Sequence, residues 1–108
     1  MKKLGLISVA ALMASGATAW ADELSVVCGA EQDWCDLMVS AFEAENPDID
    51  VLMVRKSTGE TLAQIRAEAG NPKIDVWWGG TGDPHLIAAE EGLTQPSGVD
   101  TSELLGWA

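Results

Sequence analysis

The chain has 108 residues, with six basic side chains against seventeen acidic ones and a net charge of −11 at neutral pH. A surface of that sign repels nucleic acid and anionic lipid, so neither is expected as a partner. The length allows one small domain.

An export signal comes first. Lys2 and Lys3 precede a mostly apolar run from Leu4 to Ala14, and Ala19-Trp20-Ala21 has the A-x-A form of a cleavage site before Asp22. The apolar run is too short to cross a bilayer, so residues 1–21 are expected to be a cleaved secretory signal rather than an anchor. The remainder, Asp22 to Ala108, has 87 residues, in which four basic side chains face seventeen acidic ones for a net charge of −13. With no second hydrophobic segment, a protein free in the periplasm or an equivalent space is expected. A domain of this size removes roughly 60% of its unfolded surface from water. Leu104-Leu105-Gly106-Trp107-Ala108 is apolar, and the expectation is a truncated product or part of a longer protein.

Glu23 to Cys28 reads as a first strand, rich in β-branched residues and without a helix period. Gly29-Ala30 ends it. Asp33 is expected to cap a helix running through Asn46, with Trp34, Leu37, Ala41 and Phe42 as the face packed on the sheet and Pro47 as the stop. Ile49 to Val54 is the second strand, closed by Arg55-Lys56. Ser57 with Glu60 three residues on has the form of a capping box, and the helix is expected to reach about Ala69, with Leu62, Ile65 and Ala69 inward, before Gly70-Asn71-Pro72 ends it. The third strand, Ile74 to Trp78, runs into Gly79-Gly80-Thr81-Gly82, after which Asp83-Pro84 opens a helix. Pro84 is expected at its first position, Leu86, Ala89 and Leu93 on its inner stripe, and Gly92 at its end.

The pattern is βαβαβα with short connections, which predicts an α/β fold: three βα units, a parallel sheet and helices on its faces. The loops at residues 29–33, 57–60 and 79–83 then lie along one edge, at the strand C-terminal ends, where such sheets usually hold a small ligand.

In their order and spacing, Val26-Val27-Cys28-Gly29-Ala30, then Ser57-Thr58-Gly59-Glu60-Thr61-Leu62, then Asn71-Pro72-Lys73-Ile74-Asp75-Val76-Trp77-Trp78-Gly79-Gly80-Thr81-Gly82-Asp83-Pro84 and Ala88-Ala89-Glu90-Glu91-Gly92-Leu93 resemble the N-terminal lobe of an ABC-transporter solute-binding protein. Within that superfamily the chain is similar to the ferric-iron-binding group and its relatives that bind phosphorylated or phosphonate solutes. The resemblance spans Asp22 to about Pro96. It implies one part of a two-lobed protein of roughly three times this length, whose second lobe is absent here, closing on its solute and delivering it to a membrane permease.

The ligand-binding candidates are Gly29, Ala30, Glu31, Ser57, Thr58, Gly59, Gly79, Gly80 and Thr81. For the Gly79–Gly82 run the plain alternative is a flexible turn, and for Ser57, Thr58 and Gly59 it is capping alone. Thr58 is the better ligand residue if Ser57 caps, because one hydroxyl lone pair cannot serve both. A dinucleotide fingerprint is set aside, since His85 stands where its third glycine belongs and no phosphate-loop lysine is present. His85, the sole histidine, suits a helix edge better than a metal site. Asp33 is explained by capping, and Arg55 either pairs with an anionic ligand or is an exposed charge after its strand. Trp77 and Trp78 are expected to pack opposite faces of the sheet. Cys28 and Cys35 fit neither the redox motif nor zinc, and in an oxidising compartment they are expected to form a disulfide. No cofactor and no metal is expected.

Three function classes follow. A solute receptor of an ABC importer is favoured. An exported α/β enzyme, for instance a phosphoesterase, lacks a nameable nucleophile and base. A small interaction module or remnant without binding of its own is the third. Hydroxyls and amides at helix starts favour a phosphate, phosphonate or carboxylate group. Ferric iron is the runner-up, since iron-binding relatives use tyrosines lying mostly in the second lobe and this chain has none.

Overall fold

A computed structural model describes residues 21–106; the expected signal, Ala21 aside, and Trp107-Ala108 lie outside these residues. The element order is β1 (Asp22–Cys28), α1 (Gln32–Glu45), β2 (Ile49–Arg55), α2 (Thr58–Ala67), β3 (Val76–Trp78) and α3 (Gly82–Glu90). All strands are parallel, in the order β2-β1-β3. β1 and β2 pair along their whole length, from Asp22 opposite Ile49 to Cys28 opposite Arg55. Alternation assigns the faces: Leu24, Val26, Cys28, Val51, Met53, Val76 and Trp78 all turn toward α1.

The chain thus begins at the central strand, moves to β2, then crosses back to β3. α1 covers one face, where Trp34 meets Trp78. α3 covers the other, where His85 stacks on Trp77, with α2 packed against it. The two tryptophans lie on opposite faces, as period-two alternation requires.

Several local expectations shift. α1 begins at Gln32, so Asp33 lies in the first turn and does not cap; Glu31 holds the N-cap position without a side-chain bond. The amides of Trp34 and Cys35 both donate to the Glu31 carbonyl at 3.0 Å, which starts the helix one residue before Asp33 could cap it. The side of α1 turned to the sheet carries Cys35, Met38, Val39 and Phe42, of which only Cys35 is buried and Val39 half-buried, and Trp34 stays largely exposed. Leu37 is exposed to 61% of its surface, and Ala41 is exposed with it. A disulfide between Cys28 and Cys35 is present and both residues are buried, so the bridge fixes which side of α1 meets the sheet. Residues three, four and seven beyond Cys35 follow it inward, whereas Leu37 and Ala41 do not.

α2 ends at Ala67 and Ala69 is exposed, while Leu62 is buried and Ile65 half-buried. Thr61 is fully buried, its hydroxyl donating to the Ser57 carbonyl at 2.9 Å. β3 is shorter than its apolar run because the Asp75 carboxylate accepts the Ser25 amide at 2.8 Å, replacing a ladder bond with a side chain. α3 begins at Gly82, which makes Pro84 its third residue rather than its first. Proline is tolerated there because the first four helical amides have no intrahelical partner in any case. Its inner stripe also moves by one position: Ala88 is fully buried and His85 half-buried, while Leu86 and Ala89 are exposed. His85 is drawn in by Trp77, and the rest of α3 turns with it.

Candidate functional site

Strand order 2-1-3 places a change of direction at β1. The loop leaving β1 turns to one face and the loop leaving β3 to the other, which opens a crevice between them at the strand C-terminal ends. The ladder bonds continue into these loops: the Gly29 amide donates to the Trp78 carbonyl at 2.8 Å, and the Lys56 amide to the Cys28 carbonyl at 3.0 Å. All three βα loops are thereby held at one edge.

The approach is close enough that side chains would block it. A Cβ on Gly29 would stand 2.9 Å from the Gly79 carbonyl oxygen, and one on Gly80 would stand 2.2 Å from Thr58 Cγ2. Gly79 and Gly80 have φ of 76° and 89°, in the region that favours glycine. Glycine is therefore needed here for two reasons, backbone conformation and contact between loops.

Two helix starts meet beyond those glycines. Thr58 is the first residue of α2, Thr81 is the N-cap of α3, and their hydroxyl oxygens lie 3.0 Å apart. Thr81 makes no capping bond of its own. Ser57 does: its hydroxyl accepts the Glu60 amide at 3.3 Å and donates to Glu60 Oε2 at 2.7 Å, and its own amide donates to the same carboxylate at 3.1 Å. These two hydrogen bonds from Ser57 hold the Glu60 carboxyl below the usual carboxylate range. Among the described residues, the amides of Thr58, Gly59, Gly80 and Thr81 have no hydrogen-bond partner. Partial positive charge from two helix N-termini and unpaired N–H groups thus converge on one place.

The first loop is held from the side. Arg55 Nε donates to the Ala30 carbonyl at 2.7 Å, and Arg55 Nη2 lies 3.9 Å from the largely exposed Glu31 carboxylate. His85 Nε2 bonds the Gly79 carbonyl at 3.0 Å. The sequence offers no cue to either bond, because each joins a side chain to the backbone of a loop brought near only by strand order.

Of the nine candidates, Thr58, Gly79, Gly80 and Thr81 are joined by direct contacts, and Gly29 and Ala30 border them. Gly59 sits in the first turn of α2 with open space around it. Ser57 is occupied by its cap, and Glu31 stands at the rim. A cavity of about 820 Å³ is walled by the end of α2, residues 72–77, His85 and residues 92–97. It opens beside the start of β3, away from the strand C-terminal ends, and we assign it no part in this site.

No family model matches the chain. An uncharacterized protein of Haemophilus influenzae is 40% identical over 87 residues, which is 81% of this chain and 25% of that protein. The chain therefore spans about a quarter of the length of the curated relative it matches. Among solved structures, the periplasmic binding protein P5PA superposes with a TM-score of 0.62 at 31% identity, over 66% of this chain and 22% of that one. The periplasmic binding protein AfuA from Actinobacillus pleuropneumoniae, with exogenous fructose-6-phosphate bound, superposes with a TM-score of 0.61 at 38% identity, also over 66% and 22%. Both are described as periplasmic binding proteins. Across 66% of its length this chain has the fold of a segment of such proteins, at 31% and 38% identity.

Proposed function

We propose that this chain is part of the extracytoplasmic solute-binding component of an ABC importer, and that its glycine and threonine loops hold the anionic group of a small phosphorylated solute. The observation that carries this reading is the meeting of two helix N-termini through Thr58 and Thr81, beside amides that no other group of the described chain takes up. Helix starts with unpaired N–H groups suit phosphate oxygens, and hydroxyls add donors that adapt to geometry. That AfuA is described with fructose-6-phosphate bound, at 38% identity, supports a phosphorylated sugar as the class.

Binding is the whole of the role proposed. In the longer protein a second lobe would close over the solute, exclude water and strengthen each hydrogen bond, and a permease would distinguish closed from open forms. The binding surface in this chain supplies only one side of that closure. Delivery through a periplasm agrees with the export signal expected over residues 1–21 and with the kind of protein this chain is similar to.

Calorimetric titration of the 108-residue chain with fructose 6-phosphate, inorganic phosphate, fructose and ferric ion tests the reading. The expected result is saturable binding of the two phosphate-bearing probes, weaker than about 1 μM because half of the contacts are absent, and no response to fructose. Release of inorganic phosphate from the sugar phosphate would favour the enzyme class instead. Tight binding of ferric ion alone would favour the iron receptor.

A further inference from the structure

His85 is the one residue of the loop region whose placement the solute reading leaves unexplained. Its ring stacks on Trp77 with centroids 3.8 Å apart and planes 25° apart, and its Nε2 stands 3.0 Å from the Gly79 carbonyl oxygen. A carbonyl oxygen only accepts, so Nε2 must carry the proton. The stack fixes the ring and the bond fixes the carbonyl.

That carbonyl belongs to the peptide joining Gly79 to Gly80, which is trans. In a trans peptide the C=O and the following N–H point in opposite directions. Two successive glycines impose little resistance to rotation of the plane between them. Without a restraint the peptide can turn over, which would present a carbonyl oxygen to an anion in place of an amide. Holding the carbonyl toward α3 prevents this. The Gly80 amide, free of any partner among the described residues, is then directed away from the His85 ring.

We infer that His85 is a positioning residue for solute binding: by anchoring the Gly79 carbonyl it aims the Gly80 N–H at the anion held beside Thr58 and Thr81. This rests on the solute site proposed above.

The test uses the ¹⁵N-labelled 108-residue chain, inorganic phosphate as the probe, and two variants. His85→Phe keeps a flat ring over Trp77 and removes the donor, whereas His85→Gln keeps a donor of similar reach. In the native chain the imidazole should carry its proton at Nε2, and phosphate should shift the Gly80 and Thr58 amide signals. His85→Phe should lose the Gly80 response and bind phosphate about tenfold more weakly while the Thr58 amide still responds, and His85→Gln should recover to within about threefold of the native affinity.

A bare Nε2 in the native chain overturns the role, whether or not the variants fold. So does a His85→Phe chain in which phosphate moves the Gly80 amide as strongly as in the native one. Failure of the underlying site has a different signature: none of the Thr58, Gly59, Gly80 and Thr81 amides responds in the native chain at any phosphate concentration. That outcome leaves His85 a packing residue only.

Discussion

The starts of α2 and α3 lie within one hydroxyl contact of each other, yet their polar groups are used in opposite ways. Ser57 closes the α2 start on itself through a reciprocal cap with Glu60. At the α3 start Thr81 occupies the same position and caps nothing; its hydroxyl turns outward to Thr58. A completed cap stabilises a helix and takes up some of its donors, here the Ser57 and Glu60 amides, whereas an uncapped start leaves all of them available at some cost in stability. The junction thus pairs a self-sufficient helix with one left open, and the open one adjoins the glycines.

The most disruptive change should be Gly80→Ala. An alanine there must adopt a φ of 89° and meet Thr58 Cγ2 at 2.2 Å, so either the Thr58 side chain turns away and leaves Thr81 or the two helix starts separate. A loss of about 3 kcal/mol in urea unfolding is expected. Gly59→Ala is the matched control, since nothing lies within 4 Å of its added methyl. It should leave stability unchanged or raise it slightly, and phosphate binding should survive because the backbone amide remains. Equal losses from both substitutions would mean that the loop contact is not what holds the starts together.

The α1 start uses a third solution. Glu31 makes no side-chain cap, and the Cys28–Cys35 bridge ties that turn to the end of β1 instead. Replacing both cysteines with serine should lower unfolding free energy by about 2 to 3 kcal/mol. It should also loosen the Gly29–Glu31 loop, read as faster amide exchange at residues 29–34. Unaltered exchange there would show that the bridge only stabilises the fold and does not shape this wall.

The capped and uncapped starts separate most directly by two single substitutions. Ser57→Ala should cost about 1 kcal/mol of stability. Thr81→Ala should stay within about 0.5 kcal/mol, because no capping bond is lost, but it should weaken phosphate binding. A reversal, with Thr81→Ala unfolding the chain more readily than Ser57→Ala, would break the distinction.

How far the sequence carries such distinctions depends on the range of the interaction. The Ser57–Glu60 cap was legible because it is complete within four residues, and strand alternation placed Trp77 and Trp78 on opposite faces. Cys28 and Cys35 were legible from compartment and spacing. The phases of α1 and α3 were not: on α1 periodicity alone offers two neighbouring apolar stripes, Leu37 and Ala41 against Met38 and Val39, and on α3 it favours the more apolar but exposed stripe of Leu86 and Ala89 over His85 and Ala88. What chose between them was tertiary, the disulfide for α1 and the Trp77 stack for α3. The site followed the same rule. Its residues could be named from loop positions, but the Thr58–Thr81 contact and the Arg55 and His85 bonds to loop carbonyls depend on strand order. Asp33 was misplaced because a cap is defined by where the helix begins, and the Glu31 carbonyl began it earlier.

The smallest effect expected is one of pH, and it also divides the two helix starts. Glu60 is held below the usual carboxylate range by the Ser57 hydroxyl and amide. A carboxyl whose folded value is depressed binds its proton more readily in the unfolded chain, so its stabilising contribution is present above the ordinary carboxylate range and is lost as pH falls through the folded value. Glu91 is lowered in the same direction by the Arg66 guanidinium, and Asp100 by the Ser102 amide, so an acid-side loss of stability belongs to all three. Ser57→Ala removes the larger, hydroxyl share of the Glu60 part, leaving the backbone amide bond, and should partly flatten the acid limb of a stability-against-pH curve, with Arg66→Ala flattening it separately. Thr81→Ala should leave that limb unaltered, since no carboxylate depends on its hydroxyl. If Thr81→Ala changes the acid limb as much as Ser57→Ala does, the two starts are electrostatically one unit, and the open start owes its availability to the cap beside it.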